Sequence, residues 1–448
     1  MQITYLSSAC VLIKDQDSTL LCDPWLIDGE FYGSWCHYPP CITKPEELDD
    51  VDGIYISHVH PDHFSKKTLE KMNKKIPIYI HKYHYDFTKR MAESLGFNVI
   101  EIEHDKKINI TGNLNLRILA ADNCNPELCL RYYACGMVND KTDGSTQMDT
   151  LCAIDNGEHV IVNTNDCPYP LAKTSAKKIK NRYNDIDFLL FGYSSASAFP
   201  QCFNLSQSEI ENSKKEIIKK YLTLGESYID LFKPKFYMPF AGRYVLGGKN
   251  SNLNNNRAKI ELEDALDYFS KSTTINHNLH KGVILNQKST FDISKGESDY
   301  EYISVDLNEK NNYIDTVLSK RKYDYEDDEN PKLSDFIDIL PKCFERFEKK
   351  RNQLTFSSDT PVFIHLPENQ LLVLHYDGKP YEIISKNDFD KNTKFLMIET
   401  DFKLLFRLLR GPMFAHWNNS EIGSHLKFSR NPNIYEIGLY YCLNFLHS

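Results

Sequence analysis

Residues 57–64, SHVHPDHF, hold four side chains of the types that bind metals. They are His58, His60, Asp62 and His63. A short apolar run that predicts a strand comes directly before them, and alternate residues leaving a strand end can point to one side. His58 and His60 can therefore share one divalent ion, while Asp62 and His63 face a second position. Neutral imidazole suits zinc, iron or manganese, and Asp62 is our candidate catalytic residue because a carboxylate can orient a metal-bound water.

Alternating strand and helix patterns surround this segment. A β-type meander opens the chain, and a β-α-β rhythm runs from about residue 54 to residue 102. A long amphipathic helix is predicted over 207–232, and the polar run KNSNLNNNR at 249–257 is interpreted as a loop. These patterns predict an α/β fold.

The chain divides into three parts by composition. Residues 1–305 form the predicted metal-binding domain, and 306–332 is dense in charge and predicts a linker or an exposed excursion. Residues 333–448 mix helix and strand patterns and predict a smaller C-terminal α+β domain.

The pattern H-x-H-x-D-H, formed by His58, His60, Asp62 and His63, resembles the signature of the metallo-β-lactamase superfamily. The resemblance implies an αββα sandwich, with two mixed sheets covered by helices and the metals at one sheet edge. It also implies hydrolytic activity, although a fold alone fixes no substrate.

The same resemblance assigns roles to three more aspartates. Asp23, at the end of an early strand, would hydrogen-bond the metal histidines, with an ordinary turn aspartate as the alternative. Asp166 would be the bridging carboxylate, and a helix cap is the alternative. Asp122 follows a strand where the family has a histidine.

One expected ligand is missing. No histidine occurs in 239–249, where the family's last one would follow a strand, and His277 and His280 are only weak replacements. A site with more oxygen ligands favours iron, manganese or a single ion over two zinc ions.

A narrower resemblance involves the loop 31–40, the turn at 165–167 and the C-terminal stretch 411–430. These are similar to the metallo-β-lactamase portion of CMP-N-acetylneuraminate hydroxylases. Those enzymes carry a Rieske cluster that needs two Cys-x-His pairs, and this sequence has only Cys36-His37. Oxygenase activity would therefore need an electron donor from another protein.

Four residues are candidate substrate contacts. Trp35 and Tyr38, in the aromatic loop, could stack a sugar or a base, with ordinary packing as the alternative. Tyr193 and Arg243 could bind an anionic group.

Composition limits the partners. The chain has 448 residues and a net charge of −9, which disfavours duplex nucleic acid. No apolar run approaches the ~18 residues of a membrane span, and the start of the sequence lacks signal-peptide features. The 12 cysteines are scattered without a C-x-x-C pair, so we expect a cytoplasmic protein with reduced cysteines.

Three functions stay open. The first is a metal-dependent hydrolase that uses a metal-activated water on an ester, phosphodiester or lactone of an anionic small molecule. The second is an iron-dependent oxygenase acting on a sugar nucleotide or related metabolite with an external electron donor. The third is a degenerate metal site in a binding or scaffold module.

Overall fold

The computed structural model describes residues 1–83, 86–121 and 149–448. The strands, in chain order, are β1 (Gln2–Ser7), β2 (Cys10–Asp15), β3 (Ser18–Cys22), β4 (Trp35–Cys36), β5 (Ile54–Tyr55), β6 (Ile78–His81), β7 (Val99–Ile102), β8 (Lys107–Thr111), β9 (Leu114–Ala120), β10 (Thr150–Asp155), β11 (Val160–Asn163), β12 (Phe188–Phe191), β13 (Phe236–Pro239), β14 (Val245–Leu246), β15 (Lys281–Gly282), β16 (Thr290–Asp292), β17 (Glu297–Ser298), β18 (Val362–Leu366), β19 (Gln370–Leu374), β20 (Glu382–Ser385), β21 (Phe395–Glu399) and β22 (Lys427–Asn431).

The helices, in chain order, are α1 (Glu30–Gly33), α2 (Lys66–Lys71), α3 (Phe87–Ser94), α4 (Tyr169–Arg182), α5 (Gln207–Phe232), α6 (Leu262–Ser270), α7 (Leu307–Thr316), α8 (Leu333–Gln353), α9 (Phe402–Arg410), α10 (Trp417–Ile422) and α11 (Ile437–Leu443). Short 3-10 helices are Pro45–Leu48, Gly248–Asn256, Leu318–Lys320 and Lys386–Asp388. Among these described helices, none has the length and apolar character needed to cross a bilayer.

Two mixed sheets form the N-terminal sandwich. In the described residues their strand orders are β17-β16-β1-β2-β3-β5-β6-β7 and β15-β13-β12-β11-β10-β9-β8. Their inner faces pack together through side chains such as Ile13, Ile118 and Leu190, all fully buried. Strand side chains alternate between the two faces of a sheet. The outer faces of these two sheets also carry buried apolar side chains, and helices cover them. Helices α2 and α3 cover the first sheet, and α4 to α6 cover the second. The predicted αββα sandwich is confirmed.

The C-terminal residues form a further core around a sheet of order β20-β19-β18-β21-β22, to which α8, α9 and α11 contribute and into which Ala198, Cys202 and Phe203 also pack. Tyr323 and Tyr325 are also buried in this core, at 2% and 1% exposure. The segment 306–332 is thus packed more closely than its charge indicates, since α7 and these two tyrosines bury apolar surface among the charged residues. The boundaries of the three predicted parts stay predictions.

The polar run interpreted as a loop differs from the expectation. Residues 248–256 form a 3-10 helix, in which the Asn254 side chain holds the turns together. Its Nδ2 donates to the carbonyl oxygens of Leu246 (2.8 Å) and Ser251 (2.7 Å), and its Oδ1 accepts from the Leu246 N–H. Side chain-to-backbone bonds of this kind give an asparagine-rich segment regular structure without apolar periodicity.

Candidate metal centre

The predicted ligands lie where strands of both sheets end. In the first sheet β3 and β5 run parallel, so Asp23, after β3, and the segment 57–63, after β5, share one edge. In the second sheet Asp166 follows β11. Thr150 connects the two edges, because its hydroxyl donates to the Ser57 carbonyl oxygen (2.7 Å) and hydrogen-bonds with the Tyr55 hydroxyl (2.8 Å). One edge of the sandwich therefore presents all of these side chains.

Six imidazole and carboxylate side chains meet at this edge, and we call them the donor cluster. They are His58, His60, Asp62, His63, Asp149 and Asp166. Within the described residues, two sets of three have ligand atoms within 4.8 Å of one another: His58, His60 and Asp149, and His58, His63 and Asp166. The Nε2 atom of His63 lies 3.3 Å from Asp166 Oδ2 and 3.5 Å from Asp62 Oδ2. Each set combines two imidazoles with one carboxylate, which is a common composition for catalytic metal sites.

An unsatisfied nitrogen in the donor cluster fits a bound cation. The His58 side chain is 1% exposed, and its Nε2 has no hydrogen-bond partner among the described residues. This atom lies 3.6 Å from Asp149 Oδ1. A buried polar atom without a partner costs free energy, and a divalent ion between the nitrogen and the carboxylate would remove that cost.

Asp23 orients two of the histidines. It is fully buried and accepts hydrogen bonds from the Ser57 N–H (2.7 Å), the Ser57 hydroxyl (2.6 Å) and His63 Nδ1 (2.8 Å). The Ser57 hydroxyl in turn accepts from His58 Nδ1 (2.9 Å). This network assigns the proton of both rings to Nδ1, so that both Nε2 atoms direct a lone pair at the donor cluster. The geometry supports the role predicted for Asp23.

Burial and neighbouring charges shift the pKa values of the donor cluster in different directions. Burial lowers the pKa of His58 well below its usual range, and the nearby rings of His63 and His60 lower it further. Burial opposes the charged form of His63 too, but the carboxylates of Asp166 and Asp62 outweigh it and raise that pKa. Burial also raises the pKa of Asp62, whereas for Asp166 the effect of burial is overcome by His63, which holds the pKa below its usual value. The neutral form of His58 and the ionised form of Asp166, which bind metals, are thus favoured, whereas the carboxylates favour a protonated His63, which would release its Nε2 proton to bind a metal.

Asp149 is the cluster member that the sequence reasoning missed. The expected ligand was sought after a strand, whereas Asp149 directly precedes β10, which is antiparallel to β11. The start of β10 therefore reaches the same edge as the end of β11. The predicted ligand Asp122 lies outside the described residues. His280 immediately precedes β15, which runs parallel to β13, so it lies at the opposite edge of the sheet with the exposed His277.

Three of the four predicted substrate contacts line one cavity. Tyr38, Tyr193 and Arg243 border a cavity of about 210 Å³, which we call the basic cavity. Trp35 is buried at 1% exposure and stacks on Tyr244, a residue of the cavity wall, with ring centroids 3.2 Å apart. Substrate contact by these four residues stays a prediction. Tyr193 and Arg243 were predicted together as contacts for an anionic group, and the structure places Tyr38, from the aromatic loop, at the same cavity.

Comparisons with known proteins find similarity over part of the chain. Residues 2–125 match the family model described as a β-lactamase superfamily domain. Among solved structures, the chain is similar to isothiocyanate hydrolase from Delia radicum gut bacteria, with 13% identity, a TM-score of 0.45, and coverage of 65% of this chain and 99% of that one. The metallo-β-lactamase resemblance read from the sequence is confirmed.

Two curated relatives match more of the chain than the family model does. Cytidine monophosphate-N-acetylneuraminic acid hydroxylase of Xenopus laevis is 29% identical over 281 residues, which is 58% of this chain and 42% of that protein. The hydroxylase of the same name from Macaca mulatta is 30% identical over 258 residues, which is 55% of this chain and 38% of that protein. The chain therefore spans only about two fifths of the length of these relatives.

Proposed function

We propose that this chain is a metal-dependent oxygenase that hydroxylates an anionic small molecule with electrons from another protein. The observation that carries the proposal is the composition of the donor sets, two imidazoles and one carboxylate, which is that of non-haem iron oxygenases. The similarity to hydroxylases over more than half of the chain supports it. By that similarity, a sugar nucleotide or a related metabolite is the proposed substrate.

The donor cluster supplies ligands for one or two ions. A single ion would be held by either set of three. With two ions bound, His58, His60 and Asp149 would hold the first, and His63, Asp166 and Asp62 would hold the second. Bound iron would supply the activation of dioxygen. In the overall reaction one oxygen atom enters a C–H bond of the substrate, and the other leaves as water with two electrons and two protons from the donor.

The other residues hold and orient. Asp23 and Ser57 fix the rings of His58 and His63, so that neither histidine has to reorganise when a metal binds. Arg243 and Tyr193 would bind the charged part of the substrate near the donor cluster, since they follow β13 and β12, which run parallel to the strand that precedes Asp166.

The test is the metal content of protein purified without added metal, together with oxygen uptake in the presence of a reductant and a panel of sugar nucleotides. We expect predominantly iron, with oxygen uptake matched by a hydroxylated product. A protein that contains zinc or manganese and turns over its substrate without oxygen would contradict the proposal.

Hydrolysis is the second candidate, because two imidazoles and one carboxylate also form catalytic zinc sites. The ion would lower the pKa of a bound water, and Asp62, whose carboxylate lies beside His63, would orient it. An ester, phosphodiester or lactone of an anionic small molecule would then be the substrate, and anaerobic turnover with zinc would favour this function.

A further inference from the structure

The basic cavity has a charge opposite to that of the whole protein. Five cationic residues and one carboxylate, Glu261, line it in the described structure, although the chain has a net charge of −9. The cations are Lys214, Arg243, Arg257, Lys259 and Lys310. A concentration of like charge around a cavity raises the local concentration of oppositely charged ligands. The lining therefore favours an anion.

Partner carboxylates account for only two of these five cations. Lys214 pairs with Glu211 (3.0 Å), and Lys310 pairs with Glu261. Within the described residues, Arg243, Arg257 and Lys259 have no carboxylate within ion-pair distance. Cations of this kind are costly to bury unless a counterion compensates them. The charge of Glu261 acts on all three, yet the two guanidinium charges of Arg243 and Arg257 alone exceed the single charge of that carboxylate.

Arg257 is the strongest indication of a ligand. Its side chain is 5% exposed, and Nη1 donates to the Tyr244 carbonyl oxygen (3.0 Å) and to Asn254 Oδ1 (3.0 Å). These bonds fix the guanidinium, yet Nη2 is buried without a hydrogen-bond partner among the described residues. A fixed guanidinium with unused donors is well suited to the oxygens of a phosphoryl group.

Lys259 lies beside Arg257 on the same aromatic ring. Its Nζ donates to the Ser194 hydroxyl (3.1 Å) and lies 4.0 Å from the centre of the Tyr244 ring, while the Arg257 guanidinium lies 3.7 Å from that ring. An ammonium has three N–H donors, and the hydroxyl uses one of them. No other hydrogen bond of the Lys259 ammonium is present among the described residues, so its remaining N–H groups can donate to a ligand, and an anion there would favour the ammonium form that burial opposes.

The size of the basic cavity defines the kind of ligand. About 210 Å³ is below the range of roughly 300–1,000 Å³ typical of pockets that enclose a whole drug-sized molecule. The cavity therefore takes one charged group of a larger molecule. Tyr193 and Arg243 follow β12 and β13, which run parallel to β11, so the cavity lies at the sheet edge that carries Asp166, and the remainder of the molecule could extend to the donor cluster.

We propose that the basic cavity, through Arg243, Arg257 and Lys259, binds a phosphoryl group of the substrate. The inference depends on the proposed function only in identifying the bound molecule as the substrate. Binding of the phosphoryl group itself requires neither metal nor turnover. It assigns the place where the phosphoryl group of such a substrate would bind, and it adds two residues, Arg257 and Lys259, that the sequence reasoning did not select.

The test is isothermal titration of the full chain, as purified, with inorganic phosphate at constant ionic strength. We expect Lys259→Met to weaken phosphate binding about tenfold or more, since one hydrogen bond to a charged group contributes roughly 1.5–3 kcal/mol. Lys342→Met, which removes an exposed lysine of α8, is the matched control and should bind as the unmodified chain does. Lys310→Met provides a second variant of the cavity if Lys259→Met does not fold, and it too should weaken binding.

Two further titrations separate this inference from the proposed function. Phosphate should bind more tightly than acetate, and it should still bind to His58→Ala, which is expected to lose metal. Phosphate that binds no better than acetate would overturn the inference. Phosphate binding that is lost in His58→Ala but kept in Lys259→Met would also overturn it and would place the anion on the metal. Such a result would leave the oxygenase proposal standing, just as zinc content would leave the cavity proposal standing.

Discussion

The donor cluster and the basic cavity lie at the same edge of the sandwich but are built differently. In the donor cluster, Asp23 and Ser57 accept hydrogen bonds from Nδ1 of His63 and His58, and these bonds fix both rings before any ion binds. In the basic cavity, Arg257 is fixed by only part of its guanidinium, and the cations repel one another. Burial and the charges of Arg257 and Lys310 hold the pKa of Lys259 well below its usual range.

The difference teaches which part of the site is prepared in advance. Preorganised ligands gain most when the ion arrives, since little reorganisation is needed. The basic cavity instead has a positive charge that only an anion compensates, so substrate binding would stabilise it. We therefore expect changes in the donor cluster to affect the metal first, and changes in the basic cavity to affect the anion first.

The largest expected effect separates the two regions most sharply. His58→Ala removes the residue common to both donor sets. Loss of a residue that only hydrogen-bonds a metal ligand typically costs about 10–100-fold in metal affinity or activity, so loss of the ligand itself should reduce both by more than about 100-fold. Phosphate binding should persist. Metal analysis, turnover and calorimetry on the same preparation measure all three quantities.

His277→Ala is the matched control, because His277 is exposed and lies at the opposite edge of the sheet. It should retain both metal and activity. If His58→Ala and Asp166→Ala both keep full function in vivo, the chain works as a binding or scaffold module, and the enzymatic proposals fail.

The sequence predicted much of the donor cluster because four of its members lie in one turn after β5. A single strand end positions His58, His60, Asp62 and His63, so their spacing alone indicates a common site. Asp149 escaped because its position depends on the antiparallel pairing of β10 with β11, which no local pattern specifies. An aspartate two residues before the apolar run 151–154 was the available signal.

The second expected effect concerns the hydrogen bonds behind the donor cluster. Asp23→Asn puts an amide where a carboxylate now accepts from His63 Nδ1 (2.8 Å). The amide N–H₂ would face another donor, so the histidine would move its proton to Nε2 and lose the lone pair that binds metal. Metal affinity should fall about 10–100-fold, measured by competition with a chelator of known affinity.

Asp28→Asn serves as the control for that change. Asp28 also pairs with a histidine, His37, through Nδ1 at 2.6 Å, but it lies outside the donor cluster. Equal loss of metal affinity in both variants would show that Asp23 acts on the stability of the fold and not on the ligand.

The basic cavity was harder to predict, since its residues come from segments that are far apart in sequence. Tyr193 and Arg243 follow β12 and β13 and were selected as anion contacts, because strand ends commonly carry function. Arg257 ends a run that was interpreted as a polar loop, and Lys310 lies in the stretch interpreted as a linker. Only the packing of α7 and of the 3-10 helix 248–256 against the sandwich brings them together.

The smallest expected effect tests how the wall of the basic cavity is supported. Trp35→Phe shortens the ring that stacks on Tyr244 and removes the indole N–H that donates to the Ile422 carbonyl oxygen (3.2 Å). Because an aromatic pair contributes about 0.5–1.5 kcal/mol beyond its buried area, phosphate affinity should fall about threefold while metal content stays unchanged. Trp25→Phe is the control, since Trp25 is equally buried and its ring lies 6.1 Å from Trp35. A loss of substrate affinity in Trp35→Phe without a loss of phosphate affinity would instead support the direct substrate contact predicted for Trp35.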